Sequence, residues 1–186
     1  MSVHEPRILV TYHTVEGQSA KVAVRIGETL RAGGADAAVV EVSDAPGPKE
    51  FDAVIVGDSV HVHHSHALRH YVKHHVDALN AMPSALFQVS MASATDDEAH
   101  DAVARRYVDE LLDATGYDPD LVGLFAGALA YTKYGWIKRH IMRSIEAKEG
   151  RDVDTTRDYE YTDWDAVDEF ARAVLALVAV AGSSGG

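Results

Sequence analysis

The residues best suited to chemistry lie directly after the first apolar run of the chain. They are hydroxyl, amide and glycine residues: Thr14, Gly17, Gln18 and Ser19. Hydroxyls and the free N–H groups at a helix start bind anions, above all phosphate, and glycine lets the backbone come close to such a group. The segment therefore predicts a phosphate-binding loop. Because it contains neither a Walker sequence nor G-x-G-x-x-G, a plain strand-to-helix connection is an equal alternative.

A strand before this loop and a helix after it would position these groups. Residues 8–10 are wholly apolar, as in a buried parallel strand, and the apolar residues 22, 26 and 30 recur with helical spacing. The same alternation predicts strands at 7–12, 37–42, 53–57, 85–91 and 122–128, and helices at 18–33, 66–80, 97–115, 136–148 and 163–180. The last helix has the spacing of a capping box that begins at Thr162.

Five strands that alternate with helices indicate an α/β fold, a parallel sheet covered by helices on both faces. We expect a single domain over residues 1–181 and a flexible tail at 182–186. Ligands in such sheets bind beyond the carboxyl ends of the strands, where small and hydroxyl residues follow at 57–66 and 91–95, and aromatic residues are added at 127–136. These segments suit a flat ring system whose phosphate lies in the first loop, although ordinary turns fit them equally.

Composition limits the possible partners. The 186 residues include 29 acidic and 17 basic side chains, for a net charge of −12, which argues against nucleic-acid binding. An acidic surface with few lysines is typical of a halophilic protein, and an adjustment for solubility would look the same. Without cysteine, redox work would need a bound cofactor. The lack of a visible signal peptide or long apolar run predicts a cytoplasmic location.

Four segments carry a family resemblance: Thr14 to Ser19, Ala81 to Ala85, Ala126 to Tyr131 with Tyr134 to Trp136, and Tyr161 to Trp164. Over about residues 7–175 the chain resembles the flavodoxin-like family, and within it the subgroup of menaquinone-dependent protoporphyrinogen IX dehydrogenases. The first segment is generic to flavodoxins and the later ones are specific to the subgroup. The resemblance implies a three-layer sandwich with a five-stranded parallel sheet in the order 2-1-3-4-5, and FMN bound at its top.

The resemblance also implies which residues contact FMN. The phosphate would lie against His13, Thr14, Val15, Glu16, Gly17, Gln18 and Ser19. The isoalloxazine ring would be flanked by Ser59, Val60, His61 and Val62, and by Phe87, Val89, Ser90, Met91, Ala92 and Ser93. Ala126, Gly127, Ala128, Leu129 and Tyr131 would close the ring site. No catalytic side chain is predicted. His13 replaces a small hydroxyl residue of the family, and the segment after Met91 is more acidic than the family's basic insertion.

Residues 131–148 form a basic island with a local charge of +4, counted from Lys133, Lys138, Arg139, Arg143 and Lys148 against Glu146. Isoleucines at 137, 141 and 145 place an apolar stripe beside these charges. One interpretation is peripheral contact with the inner face of a membrane, or attraction of a substrate's carboxylates. The other is a helix that packs its isoleucines on the sheet and leaves its charges in water.

Histidines crowd the segment 61–75, at positions 61, 63, 64, 66, 70, 74 and 75. Pairs four residues apart on a helix can chelate zinc or nickel, but acidic partners are sparse, so we favour a solvated face and predict no metal. His61 or His63 could instead stabilise a reduced flavin or relay a proton.

Three functions follow from the resemblance. The first is an FMN-dependent oxidoreductase that takes hydride from a small-molecule reductant, a tetrapyrrole in the subgroup, and passes electrons to a quinone. The second is a flavodoxin-type electron carrier that serves other redox proteins. The third is a binding module of this fold without a cofactor.

Overall fold

The computed structural model describes residues 5–61, 63–91, 98–129 and 159–183. Its elements are β1 (Arg7–Tyr12), α1 (Gln18–Ala32), β2 (Asp36–Glu41), β3 (Ala53–Val60), α2 (His66–Asn80), β4 (Ser84–Ser90), α3 (Glu98–Thr115), β5 (Leu121–Ala126), β6 (Ala128–Leu129), β7 (Tyr159–Glu160) and α4 (Trp164–Ser183). Two 3₁₀ turns, Val42–Asp44 and Pro48–Glu50, connect β2 to β3. The predicted helix at 136–148 lies outside the described residues.

The five long strands form one parallel sheet in the order β2-β1-β3-β4-β5. This order confirms the flavodoxin-like arrangement that the resemblance implies. The register sets Tyr12 opposite Gly57, and Val60 opposite Ser90. Strand β3 is three residues longer than the sequence pattern predicts, because its polar residues Asp58 and Ser59 pair with β4 and continue the ladder. The carboxyl ends of β1, β3, β4 and β5 therefore share one edge of the sheet.

Helices cover both faces of the sheet, as predicted. On one face, buried residues of α1 and α4 such as Ile26 and Val174 pack against Ile8 and Phe87. On the other, α2 and α3 contribute buried residues such as Leu68 to a second cluster. Successive strand residues point to opposite faces, which is why a short apolar run serves both clusters.

The start of α4 differs from the predicted capping box. The Asp163 carboxylate caps the helix, since its Oδ1 accepts the backbone N–H groups of Asp165 and Ala166 at 3.0 and 3.1 Å. Thr162 does not cap the helix, because its hydroxyl is used at the edge of the sheet. At the other end, α4 continues through Ser183, so residues 182 and 183 are helical, and residues 184–186 lie outside the described part.

Among the described residues, no helix combines the length and the apolar character that a membrane crossing requires.

Candidate cofactor site

The loop after β1 ends at the start of α1 in an anion-binding geometry. The Thr14 hydroxyl accepts the backbone N–H of Gly17 at 3.0 Å and closes the loop. Gly17 caps the helix with a φ of 91°, in the left-handed region that favours glycine. The first turn of α1 contains no acidic residue. Its N–H groups have no partner within the helix, and together with the helix dipole they attract an anion at this end.

A phosphate fits this loop on two further observations. Ser19 is fully buried, and its hydroxyl has no hydrogen-bond partner among the described residues. A buried hydroxyl without a partner is costly, and a phosphate oxygen at the helix start would satisfy it. A Cβ placed on Gly17 would meet no atom within 4 Å, so the space beside the loop is open. Val15 is 57% exposed and Glu16 is partly buried.

The side chain of Gln18, a predicted phosphate contact, is hydrogen-bonded within the protein. Its amide Nε2 donates to the Thr162 hydroxyl at 2.7 Å, and that hydroxyl donates to the Ala126 carbonyl at 2.7 Å. The chain of hydrogen bonds joins the start of α1 to the end of β5 and to the segment before α4. It fixes the phosphate loop relative to the end of β5.

A second link runs beside the first. Glu160 accepts hydrogen bonds from Lys21 Nζ and from the indole N–H of Trp164, both at 3.0 Å. Partial burial acts to raise the pKa of Glu160, but the hydrogen bond and charge of Lys21 outweigh it and leave the pKa below its ordinary value. Glu160 is therefore an ionised anchor between α1 and α4.

The strand ends bring several predicted ring contacts to the same edge. Ser59 and Met91 are partly buried, and His61 is exposed. The Gly127 N–H donates to the Ser90 carbonyl at 3.1 Å, and the Tyr161 N–H donates to the Gly127 carbonyl at 3.3 Å. Ala126 ends β5 opposite Ser90. Ala128 and Leu129 form β6, which pairs with β7. The segments predicted to surround a ring therefore adjoin one another.

Four predicted ring contacts are buried apolar residues: Phe87, Val60, Val89 and, at 8% exposure, Ala126. Phe87 is 0% exposed and its ring lies against Gly57, where a Cβ would overlap it. Val60 and Val89 are each 2% exposed. Phe87 packs in the core below the strand ends and supports the site from there. Val62, Ala92, Ser93, Tyr131 and the basic island 131–148 lie outside the described residues.

Sequence reasoning missed the most highly connected polar group at this edge, Asp58. It is 0% exposed and accepts the backbone N–H groups of Ser59 and Ser65 at 2.9 and 2.8 Å. The Nδ1 atoms of His13 and His64 lie 3.1 and 2.9 Å from its two carboxylate oxygens. The indication available in the sequence was a single acidic residue, Asp58, directly after the apolar run 53–57.

The histidine segment divides into buried and solvated members. His64 precedes α2 and is 7% exposed, because its ring turns inward onto Asp58. His66, His70 and His74 are exposed on α2, as predicted. Burial lowers the pKa of His75, and the neighbouring His74 and His70 lower it further. The described residues contain no cluster of three or more groups suited to a metal ion.

A cavity bordered by described residues lies at the opposite, amino-terminal edge of the sheet. Its volume is about 720 Å³, and Pro6, Asp52 and Pro83 contribute to its lining. Parallel sheets bind ligands at the carboxyl edge, and this cavity lacks a cluster of convergent polar groups, so we do not assign it as the site. The carboxyl edge is continued in sequence by residues 92–97 and 130–158, outside the described part.

Comparison with known proteins finds a matching family and several relatives. A sequence profile described as "Flavodoxin domain" matches residues 9–156. The protoporphyrinogen IX dehydrogenase (quinone) of Escherichia coli strain K12 is 32% identical over 174 residues, which cover 92% of this chain and 96% of the relative. The protein of the same name from Leishmania major is 33% identical over 185 residues, covering 95% of this chain and 78% of the relative.

Solved structures show the same fold. A flavodoxin from Streptococcus pneumonia TIGR4 superposes with a TM-score of 0.55 at 14% identity, covering 91% of this chain and 98% of that one. At this level of identity the likeness concerns the fold alone.

Proposed function

We propose, because this chain belongs to the flavodoxin domain family, that it is an FMN-dependent oxidoreductase of the protoporphyrinogen dehydrogenase type. It takes hydride from an organic donor and passes electrons to a quinone. The single observation that carries the cofactor assignment is the buried, unpartnered hydroxyl of Ser19 beside the open start of α1. Two relatives above 30% identity bear the name protoporphyrinogen IX dehydrogenase (quinone), which supports the reaction class.

In this proposal the protein binds and orients, and FMN supplies the hydride and electron chemistry when bound. Thr14, Gly17 and Ser19 hold the phosphate, with the first-turn N–H groups of α1 as donors. The segments at Ser59–His61, Ser90–Met91 and Ala126–Gly127 flank the ring. Phe87 supports them from the core, and the Gln18–Thr162–Ala126 hydrogen bonds keep the phosphate loop in place.

The cofactor assignment is tested first, with a matched pair of variants. Ser19→Ala removes the hydroxyl proposed to bind phosphate, and Thr11→Val removes another buried hydroxyl without a partner among the described residues. Neither change breaks a hydrogen bond among these residues, so both variants should fold. Ser19→Ala should weaken FMN binding roughly tenfold, the typical worth of a hydrogen bond to a charged group, and should leave riboflavin binding unchanged. Thr11→Val should bind both ligands like the parent.

Fluorescence titration of the flavin measures these affinities. An unchanged FMN affinity in Ser19→Ala would refute the phosphate assignment. A parent protein that takes up neither FMN nor riboflavin would leave only a binding module without cofactor.

The reaction is tested on the FMN-loaded protein under anaerobic conditions. Protoporphyrinogen IX should bleach the flavin absorbance in a stopped-flow experiment, and menadione should restore it. Failure of protoporphyrinogen to bleach the flavin would reject a tetrapyrrole as donor, and a screen of other organic donors would follow.

An electron carrier is the second candidate, and the net charge of −12 favours it, since an acidic surface suits docking to redox proteins. Potentiometric titration distinguishes the two. A carrier should show two well-separated one-electron reductions, and the dehydrogenase one two-electron reduction.

We further propose a cytoplasmic location with residues 131–148 at the inner membrane face, near a quinone. Vesicle flotation with and without anionic lipid tests this contact.

A further inference from the structure

The carboxylate of Asp58 is buried, and the burial of a charged group needs an explanation. Its exposed fraction is zero, and it lies on β3, near the middle of the sheet. Removing a carboxylate from water costs several kcal/mol unless partners compensate. Four donors surround it: two backbone N–H groups and two imidazole rings. The carboxylate is thus fully satisfied, and each partner is a group at the carboxyl edge of the sheet.

These partners belong to two different loops. His13 comes from the loop after β1. The backbone N–H of His13 also donates to the Gly57 carbonyl at 2.9 Å. Ser59, His64 and Ser65 come from the end of β3 and the connection to α2. Ser65 is also the N-cap of α2, because its side chain accepts the Leu68 N–H at 3.1 Å. One carboxylate therefore joins the proposed phosphate loop to the proposed ring-flanking loop.

The hydrogen bonds of His64 determine its charge. Its Nε2 lies 2.9 Å from the backbone carbonyl oxygen of Tyr107, which can only accept. Its Nδ1 lies 2.9 Å from Asp58 Oδ2, which already receives the Ser65 N–H. Both ring nitrogens therefore face acceptors, and we expect each to carry a hydrogen. Asp58 and His64 form a buried pair with the spacing of a salt bridge, and this pair also reaches α3 through Tyr107.

A buried ion pair rarely adds net stability over apolar residues of similar size. What it provides is a fixed geometry, because each partner must be in place to compensate the charge. We propose that Asp58 is a positioning residue for the cofactor site: together with His64 and His13, it clamps the loop after β1 to the loop after β3. The clamp orders both loops before a ligand arrives, which lowers the entropic cost of binding. The identity of that ligand as a flavin rests on the proposed function.

The clamp itself is tested on the protein without flavin. In a ¹⁵N–¹H spectrum of the imidazole rings near neutral pH, His64 should show two protonated ring nitrogens. Asp58→Asn should abolish this signature. In hydrogen exchange, the same variant should accelerate the amides of residues 14–17 as well as those of 59–65. A single protonated nitrogen on His64 in the parent protein, or acceleration confined to 59–65, would overturn the clamp.

The effect on the cofactor is tested with three variants. Asp58→Asn leaves an amide where a carboxylate is needed. The double variant Asp58→Ala/His64→Leu removes both side chains of the pair and leaves the Ser59 and Ser65 N–H groups without their acceptor, so its unfolding free energy should fall as well. Asp120→Asn is the control, because Asp120 also accepts a backbone N–H, that of Ser84 at 2.9 Å, at the opposite edge of the sheet. Fluorescence titration with FMN and riboflavin measures affinity, and urea unfolding measures stability.

Asp58→Asn and the double variant should bind both flavins roughly tenfold more weakly, since both loops lose their order, whereas Asp120→Asn should match the parent. Titration under conditions in which the urea curves show each variant fully folded separates positioning from a smaller folded population, because only a positioning role lowers the affinity of the folded protein. Parent-like affinity in both Asp58 variants would overturn the inference while the proposed function stands. If the parent binds neither flavin, the proposed function fails, and the spectra and exchange rates still decide whether the clamp exists.

Discussion

Replacing Gly17 with Ala separates the two roles of this glycine, one in the backbone and one in the cofactor site. Gly17 has a φ of 91°, and Gly34, at the far end of α1, has a φ of 90°. A Cβ at either position would meet no atom within 4 Å, so neither substitution creates a clash. An L-residue in this conformation costs about 1–2 kcal/mol, and about 0.4–1 kcal/mol is recovered from the less flexible unfolded chain. Both variants should therefore lose about 1 kcal/mol of unfolding free energy.

The two variants should differ in the flavin site. At Gly17 the new methyl group enters the open space beside the proposed phosphate, and the loop that presents the N–H groups is strained. FMN binding should fall at least roughly tenfold in Gly17→Ala, by the loss of one hydrogen bond to a charged group, and should be unchanged in Gly34→Ala. Riboflavin, which lacks the phosphate, should bind the two variants equally well.

Urea unfolding of the flavin-free proteins and fluorescence titration of the flavins check both parts. For a chain of 186 residues, a loss of 1 kcal/mol corresponds to about 2–4 °C in Tm. Equal destabilisation of the two variants with parent-like FMN affinity in Gly17→Ala would refute the phosphate assignment. A Gly17→Ala protein as stable as the parent would refute the argument from the left-handed backbone.

Three further predictions concern the packing around the site. Paired hydrogen bonds from Arg25, both 2.7 Å long, lower the pKa of Asp168 from 3.8 to about 2, so Asp168→Asn should cost about 1 kcal/mol at neutral pH, allowing for the exposure of Arg25. Because the pKa of Asp168 is lower in the folded state, this contribution to stability is complete above the ordinary pKa of 3.8 and is lost as the pH falls towards about 2. Urea unfolding across that range should show that the difference in unfolding free energy between parent and variant becomes smaller. Gly57→Ala should cost about 1–3 kcal/mol, since the added Cβ would overlap the Phe87 ring, and a parent-like Tm would contradict this packing. The lowered pKa of His75 means that the unfolded chain binds the proton more readily, so stability should fall as the pH drops below 6.5, and His75→Asn should flatten that part of the urea-unfolding profile.

The alternation of apolar runs and helical patterns predicted the five long strands and the four described helices to within three residues. It works because strands buried on both faces must be wholly apolar, and helices beside them must show one apolar stripe. The end of β3 was one of the two largest errors, because Asp58 and Ser59 continue the sheet despite their polarity. Local composition cannot show that a polar residue will find its partners in another part of the chain.

The candidate site likewise contains one part that could be proposed from the sequence and one part that could not. The phosphate loop could be proposed from Thr14, Gly17 and Ser19, because a helix start and its flanking residues are adjacent in sequence and their chemistry is local. The ion pair of Asp58 and His64 could not, since its partners His13 and Tyr107 lie 45 residues before Asp58 and 43 residues after His64. Its existence depends on the parallel register that aligns β1 with β3, and on α3 closing over the connection to α2. The amino-acid sequence by itself indicated the loop that we propose to hold an anion; only the tertiary structure showed which buried carboxylate joins that loop to the neighbouring one, because burial and pairing arise when distant segments pack together.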